Sequence, residues 1–145
     1  MKKLLFVILL CLVGCTKEEP LVTNVCQGGN GEVTLVSQGN KIQKMTEQDA
    51  YTFEELSVTA SFMAKEENQK QLLENYKALY ASITKGLDIR MEVEETQVVF
   101  YITVDFTQAD FTELAKLGII TNADVKYINL EDTITQMNLT CTPKE

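Results

Sequence analysis

Any acid–base or nucleophilic chemistry in this chain must be done without histidine, because none of its 145 residues is one. A serine or cysteine nucleophile would then rely on a lysine or a carboxylate to take its proton. No Gly-x-Ser-x-Gly elbow is present, nor a Ser-x-x-Lys motif in a supporting context. Carboxylates are plentiful, and Glu94 with Glu95 or Asp105 with Asp110 are the pairs to weigh. Glycoside hydrolysis by two carboxylates needs a sugar-shaped cleft with aromatic platforms, and this small chain has no tryptophan. These acids read more simply as helix caps and a solvated face. Gly28-Gly29-Asn30-Gly31 suggests a phosphate cradle, but no Gly-Lys-Ser/Thr follows and no helix starts there, so it reads as a turn. Calcium would find hard oxygen ligands, yet the Asp-x-Asp-x-Asp-Gly loop is missing. The expectation is no catalytic residues, no metal and no cofactor: not an enzyme.

The most informative chemistry sits at the amino terminus. Lys2 and Lys3 precede an apolar stretch at 4–10, too short to span a bilayer, and Leu12-Val13-Gly14-Cys15 follows. This is the order of a bacterial lipoprotein signal, in which 1–14 is removed and Cys15 carries diacylglycerol on sulfur. Several acyl chains, at roughly 0.8 kcal/mol per buried methylene, hold a soluble domain on a membrane. A plain secretory signal with an incidental cysteine is the competing reading. Against it stands the switch to Thr16-Lys17-Glu18-Glu19-Pro20, a polar tether that Pro20 keeps from continuing as a helix. The released signal peptide could itself be a message, but the apolar character of 4–14 is common to all such signals. The expected location is extracytoplasmic: the outer face of a Gram-positive membrane, or the outer membrane of a Gram-negative cell, since Thr16 is not the aspartate that retains lipoproteins at the inner one.

Charge and cysteine usage agree with export. Thirteen basic and 21 acidic side chains give a net charge of −8, and cleavage removes Lys2 and Lys3 as well. A phosphate backbone demands a clustered basic face, so nucleic acid is not a partner. Cys11 leaves with the signal and Cys15 is lipidated, which leaves Cys26 and Cys141. Two thiols at opposite ends of one domain, in an oxidising compartment, are most simply a disulfide, worth up to about 4.7 kcal/mol by loop closure. Two free buried thiols are the alternative. A structural zinc site is poorer, for two cysteines cannot complete the tetrad without histidine or carboxylates.

The elements that must position these residues follow from periodicity. Strands are expected at 23–27, 32–37 and 41–47, with Gly39-Asn40 as a two-residue hairpin turn and Ile42 and Met45 in the third strand. The segment 50–63 is ambiguous: Thr52 and Glu55 could form a capping box, while Val58, Thr59 and Phe62 lean towards extended structure. A long helix at 65–85 carries Leu72, Tyr76, Leu79 and Ile83 as a stripe, ended by Gly86. Ile89, Met91 and Val93 then alternate with charges, and a turn at 95–97 leads into a central strand at 98–106 with Val98, Phe100, Ile102 and Val104 inward. Thr107 and Asp110 have cap spacing for a short helix ending at Gly118. The stretch 119–127 has no assignable pattern. Asn129 and Asp132 cap a last short helix with Leu130, Ile134 and Met137 on one face, Asn138 ends it, and 139–142 is a strand carrying Cys141. Tyr76, Tyr80, Phe100, Tyr101 and Phe106 could line a groove, though their spacing fits core packing better.

The resulting class is α+β: a two-layer sandwich with a mostly antiparallel sheet and one long and two or more short helices on one face. The divisions are a signal peptide at 1–14, a lipidated tether at 15–22 and a single domain at 23–145. The signal with Cys15, the hairpin Ser37-Gln38-Gly39-Asn40-Lys41, the run Thr103-Val104-Asp105-Phe106-Thr107-Gln108-Ala109-Asp110 and the order of elements resemble the YehR-like bacterial lipoproteins. That resemblance spans the mature domain and implies a small two-layer sandwich at the cell envelope, of uncharacterised function. It brings no active site, and the Cys26 and Cys141 pair is not part of the pattern.

The expected role is therefore a membrane-anchored, non-catalytic binding or interaction module. Its partners would be the membrane, through Cys15, and an envelope protein or small ligand. The alternative is an enzyme or accessory factor acting on envelope polymers. Cys15→Ser should abolish acylation and move the protein from the detergent phase to the aqueous phase on partitioning. Unchanged partitioning would rule out the anchor.

Overall fold

The computed structural model describes residues 18–29 and 31–144. The expected signal at 1–14, the acylation site Cys15 and Asn30 of the first turn lie outside the described residues.

The amino-terminal third is a meander of β1 (Leu21–Gly28), β2 (Gly31–Gln38) and β3 (Lys41–Thr52). Gly28 pairs with Gly31 and leads directly into a strand, so the glycine cluster closes a hairpin. Gln38 pairs with Lys41 across Gly39 and Asn40, and Gly39 supplies the positive φ (+56°) that such a turn needs at its first position. β3 then does something that strict alternation forbids. Val36 faces Lys44 but Ser37 faces Ile42, so Gln43 is an extra residue, a β-bulge. Its carbonyl accepts from the Phe106 N–H at 2.9 Å. Ile42 and Met45, three apart in sequence, can therefore both be buried on one face.

β3 runs to Thr52, five residues beyond the expected end. Asp49 and Ala50 are poor strand formers, and the partner strand β5 (Gln97–Asp105) holds this stretch in a continuous register from Lys44↔Asp105 to Thr52↔Gln97. Thr52 and Glu55 do exchange reciprocal hydrogen bonds at 2.7 and 3.2 Å, but they enclose a turn rather than a helix start. The one-turn helix α1 (Ala60–Met63) is capped instead by Thr59, whose Oγ1 accepts from the Phe62 N–H at 3.1 Å.

The main helix α2 (Glu66–Ala78) is shorter than its apolar stripe suggests. Leu72 and Tyr76 pack on the sheet, but the chain turns after Ala78, which leaves Leu79 67% exposed and brings Ile83 into the core through a turn. Gly86, expected to stop the helix, lies at the entry to β4 (Leu87–Val93) with φ +73°. A Cβ there would stand 2.7 Å from the carbonyl oxygen of Asp105 and the amide of Ala109, so its role is close backbone approach.

Of the two expected cap residues, Asp110 caps α3 (Phe111–Lys116), accepting from Thr112 and Glu113 amides at 2.7 and 3.3 Å. Thr107 instead donates to Asp105. Gly118 ends α3 with positive φ (+73°), as expected. The segment after it holds no regular element until β6 (Ile128–Asn129), which pairs with the start of β3. Asn129 caps α4 (Leu130–Gln136), and Asn138, at φ +51°, leads to β7 (Thr140–Pro143). Leu130 and Ile134 of α4 meet the core, whereas Met137, expected on the same face, is exposed.

All strand pairings are antiparallel, in the order β4-β5-β3-β2-β1-β7 with β6 beside β3. The fold class is α+β, and the buried apolar side chains belong mostly to one face of the sheet. Val33, Leu35, Met45 and Val104 pack against α3, α4 and the turns after α2, while Ile89, Val98, Phe100 and Ile102 pack against α1 and α2. Phe100 is wholly buried under Tyr76, their rings parallel with centroids 3.7 Å apart. Burial of a side chain of this size is worth about 1.5–3 kcal/mol.

Cys26 and Cys141 stand directly opposite each other on β1 and β7 and are joined by a disulfide, with S–S 2.06 Å and Cα atoms 3.9 Å apart. The bond closes a loop with a sequence separation of 115. Replacing both cysteines by alanine should lower the unfolding free energy in urea by about 2–5 kcal/mol. An unchanged midpoint would show that strand pairing alone holds β7.

Candidate ligand-binding cleft

The bulge at Gln43 decides which side chains of β3 look towards the helices. Beyond it Met45, Glu47, Asp49 and Tyr51 share the inward face, with Val33 beside Glu47 on β2 and Ile102 beside it on β5. Two carboxylates therefore enter the interface between the layers, and they are treated differently. The Tyr76 hydroxyl donates to Asp49 Oδ2 at 2.7 Å. Burial, reinforced by that hydrogen bond, pushes the Tyr76 phenol well above its usual range, so it stays a donor. Tyr51 and Tyr80 flank Tyr76 with centroids at 6.5 and 5.8 Å, completing an aromatic wall around Asp49.

Glu47 has no such partner. Among the described residues, no lysine or arginine lies within 4.0 Å of its carboxylate and no side chain or amide is hydrogen-bonded to it. Burial pushes its carboxyl above the ordinary 4.5, and the charge of Asp49 adds to the rise. Its oxygens are not sealed in the core, since no wholly buried side-chain oxygen or nitrogen lacks a partner among the described residues. They face a cleft of about 490 Å³ between the sheet, the irregular segment after α3, and α4. Met45, Tyr80, Phe106, Ile119, Ile120, Ile128 and Met137 make its walls mostly apolar, with Thr121, Thr133 and Gln136 as polar members. Below, Met45, Glu47, Tyr80 and Ile119 also border a deeper recess of about 40 Å³ closed by Ile102 and Val104. Outward, the cleft shares Ile120, Ile128 and Gln136 with a shallow hollow of about 120 Å³. Its size and apolar lining with a few polar groups are those of small-molecule sites.

The residues weighed for chemistry from sequence lie elsewhere. Glu94 and Glu95 are exposed beside the β4–β5 turn. Burial pushes the Asp105 carboxyl up, but hydrogen bonds from the Thr107 hydroxyl and amide, with Lys44 at 3.6 Å, outweigh it and hold it below the usual range. Asp110 is held low by the amides it caps. The aromatic residues divide. Tyr76 and Phe100 are core, Tyr80 and Phe106 line the cleft, and Tyr101 is on the other face beneath the Arg90 guanidinium, 3.6 Å from its ring centroid. A second hollow of about 490 Å³ on that other face, beside Leu21 and Gln43, has its charges already paired, Lys44 with Asp105. No group of three cysteine, aspartate or glutamate side chains among the described residues is arranged to hold a metal. Glu47 was missed from sequence because nothing local marks the bulge except the spacing of Ile42 and Met45.

Together these features define a class: a small α+β domain whose antiparallel sheet is roofed on one face by helices, with an apolar cleft at one end of the roof. The chain belongs to the family described as protein of unknown function (DUF1307), whose pattern matches residues 22–140. The NMR structure of the Escherichia coli YehR protein is similar in fold, with a TM-score of 0.59 and 22% identity over 89% of this chain and 94% of that one. So is an NMR structure of a protein from Streptococcus pneumoniae TIGR4, with a TM-score of 0.55 and 15% identity over 98% and 96%. No functionally curated protein matches the chain.

The raised carboxyl of Glu47 has a definite thermodynamic sign. In the unfolded chain it ionises near 4.5 and in the folded protein at a higher pH, so its contribution to stability falls as pH rises from 4.5 through the folded value. Glu47→Gln should therefore melt higher than the parent at pH 7.5, and the gap should close as pH approaches 4. Asp105 and Asp110 are present in both proteins and cancel in the difference. A gap independent of pH, measured by parallel thermal melts, would contradict this account.

Proposed function

We propose that the protein is a lipid-anchored, extracytoplasmic binding module that carries out no chemistry of its own and takes a small ligand in the cleft beside Glu47. One observation carries the reading: a single carboxylate without a partner among the described residues opens into a mostly apolar cleft of about 490 Å³. A buried charge without a partner is costly, and a site that keeps one is suited to a ligand that completes it. The rival reading, hydrolysis of envelope polymers, calls for two carboxylates facing one substrate. Asp49, the nearest candidate on the strand, is engaged by Tyr76 and does not border the cleft.

The anchor part of the reading rests on Lys2, Lys3, the apolar stretch 4–10 and Leu12-Val13-Gly14-Cys15. The first strand begins only six positions after Cys15, so acyl chains there would hold the domain close to a membrane surface. The disulfide between Cys26 and Cys141 is at home in an oxidising compartment, and a net charge of −8 suits attachment by hydrocarbon rather than by attraction to anionic headgroups.

Native mass spectrometry of protein purified from its own cells without detergent exchange should show a retained adduct of a few hundred daltons. Met137→Trp, which fills the mouth of the cleft from an exposed position, should lose that adduct while keeping the fold. An adduct retained equally by the variant would place binding elsewhere.

A further inference from the structure

We infer that the cleft recognises a small amphipathic primary ammonium compound, its charged head against Glu47 and its hydrocarbon along Met45, Ile119 and Ile120. The inference rests on the binding function proposed above and specifies its ligand. Three features converge on this chemistry. Among the described residues the only acidic or basic side chain bordering the cleft is the carboxyl of Glu47, and no cation of the protein neutralises it. An anionic ligand would meet an unscreened like charge in a place of reduced dielectric, whereas a cation would replace the missing partner. The rings of Tyr80 and Phe106 border the same space, and aromatic faces attract cations by their quadrupole.

Size narrows the head group. The recess that Glu47 shares with Met45, Tyr80 and Ile119 is about 40 Å³, a small space beside the cleft of about 490 Å³, and so suits a compact head. A terminal –NH₃⁺ is the most compact organic cation, and its three donors can satisfy a carboxylate without other help. The body of the ligand then lies in the larger cleft, whose isoleucine and methionine walls offer it no charge to pair with. A neutral alcohol of the same length would gain the apolar contact and could donate one hydrogen bond to the carboxylate, but would lose the ion pair.

Titration of the folded protein at pH 7 with n-octylammonium, 1-octanol and n-octanoate, read by methyl NMR shifts of Met45, Ile119 and Ile120, tests the assignment. Octylammonium should bind at least about tenfold more tightly than octanol, and octanoate more weakly than either. Glu47→Gln should remove the preference for the cation over octanol. Met137→Trp should weaken all three probes alike, which keeps the test decisive should the Glu47 variant fold poorly. Equal affinities for the three probes would overturn the ammonium assignment while leaving a binding cleft. No perturbation of the cleft methyl groups by any probe would overturn both.

Discussion

One extra residue in the third strand governs the interior of this domain. With strict alternation from Ile42, the inward positions of β3 would be Lys44, Thr46 and Gln48, and Glu47 would face solvent. The bulge at Gln43 inverts that parity. Met45 and Tyr51 gain the core, and with them Glu47 and Asp49 are carried under the helices. The same residue fastens the inversion, since the carbonyl it exposes is taken by Phe106 as the chain leaves β5. The bulge thus couples the hairpin at Gly39 to the turn that precedes α3.

Much of the second layer answers to that inversion. Asp49 is accommodated by the Tyr76 hydroxyl, and Tyr76 in turn lies flat on Phe100, so one side chain satisfies a half-buried acid and closes the apolar core. α2 supplies it from near its last turn. Over Glu47, among the described residues, no helix supplies a donor. The roof there is made of the irregular chain after Gly118 and the face of α4, and the space between is the cleft. The two acids, two residues apart on one strand, thus sit in a completed environment and an incomplete one.

The order of elements was legible because it rests on local signals. Gly39-Asn40 makes its turn, Ile89 to Val93 and Val98 to Val104 alternate as a hairpin, and Asp110 and Asn129 cap the helices that follow them. Cys26 and Cys141 were legible by elimination, and their pairing aligns the first and last strands. What escaped was non-local. Residues 48–52 extend because β5 lies alongside, although Asp49 and Ala50 do not favour strands. Leu79 fits the helical stripe by spacing, but the chain has already turned. The cleft depended on two silent features, a bulge without glycine and an aperiodic segment after α3, so Glu47 read as one more surface acid.

The disulfide has a mechanical consequence. β1 carries the amino-terminal end of the domain and lies between β2 and the short edge strand β7, where the Lys144 amide reaches back to the Thr23 carbonyl at 2.8 Å. Both ends of the folded chain therefore emerge side by side from one corner of the sheet. Tension entering at Leu21 passes through the Cys26–Cys141 rivet into the last strand and, by way of α4, into the roof. A domain wired in this manner resists fraying from either terminus, because neither end can be peeled away without dragging the other.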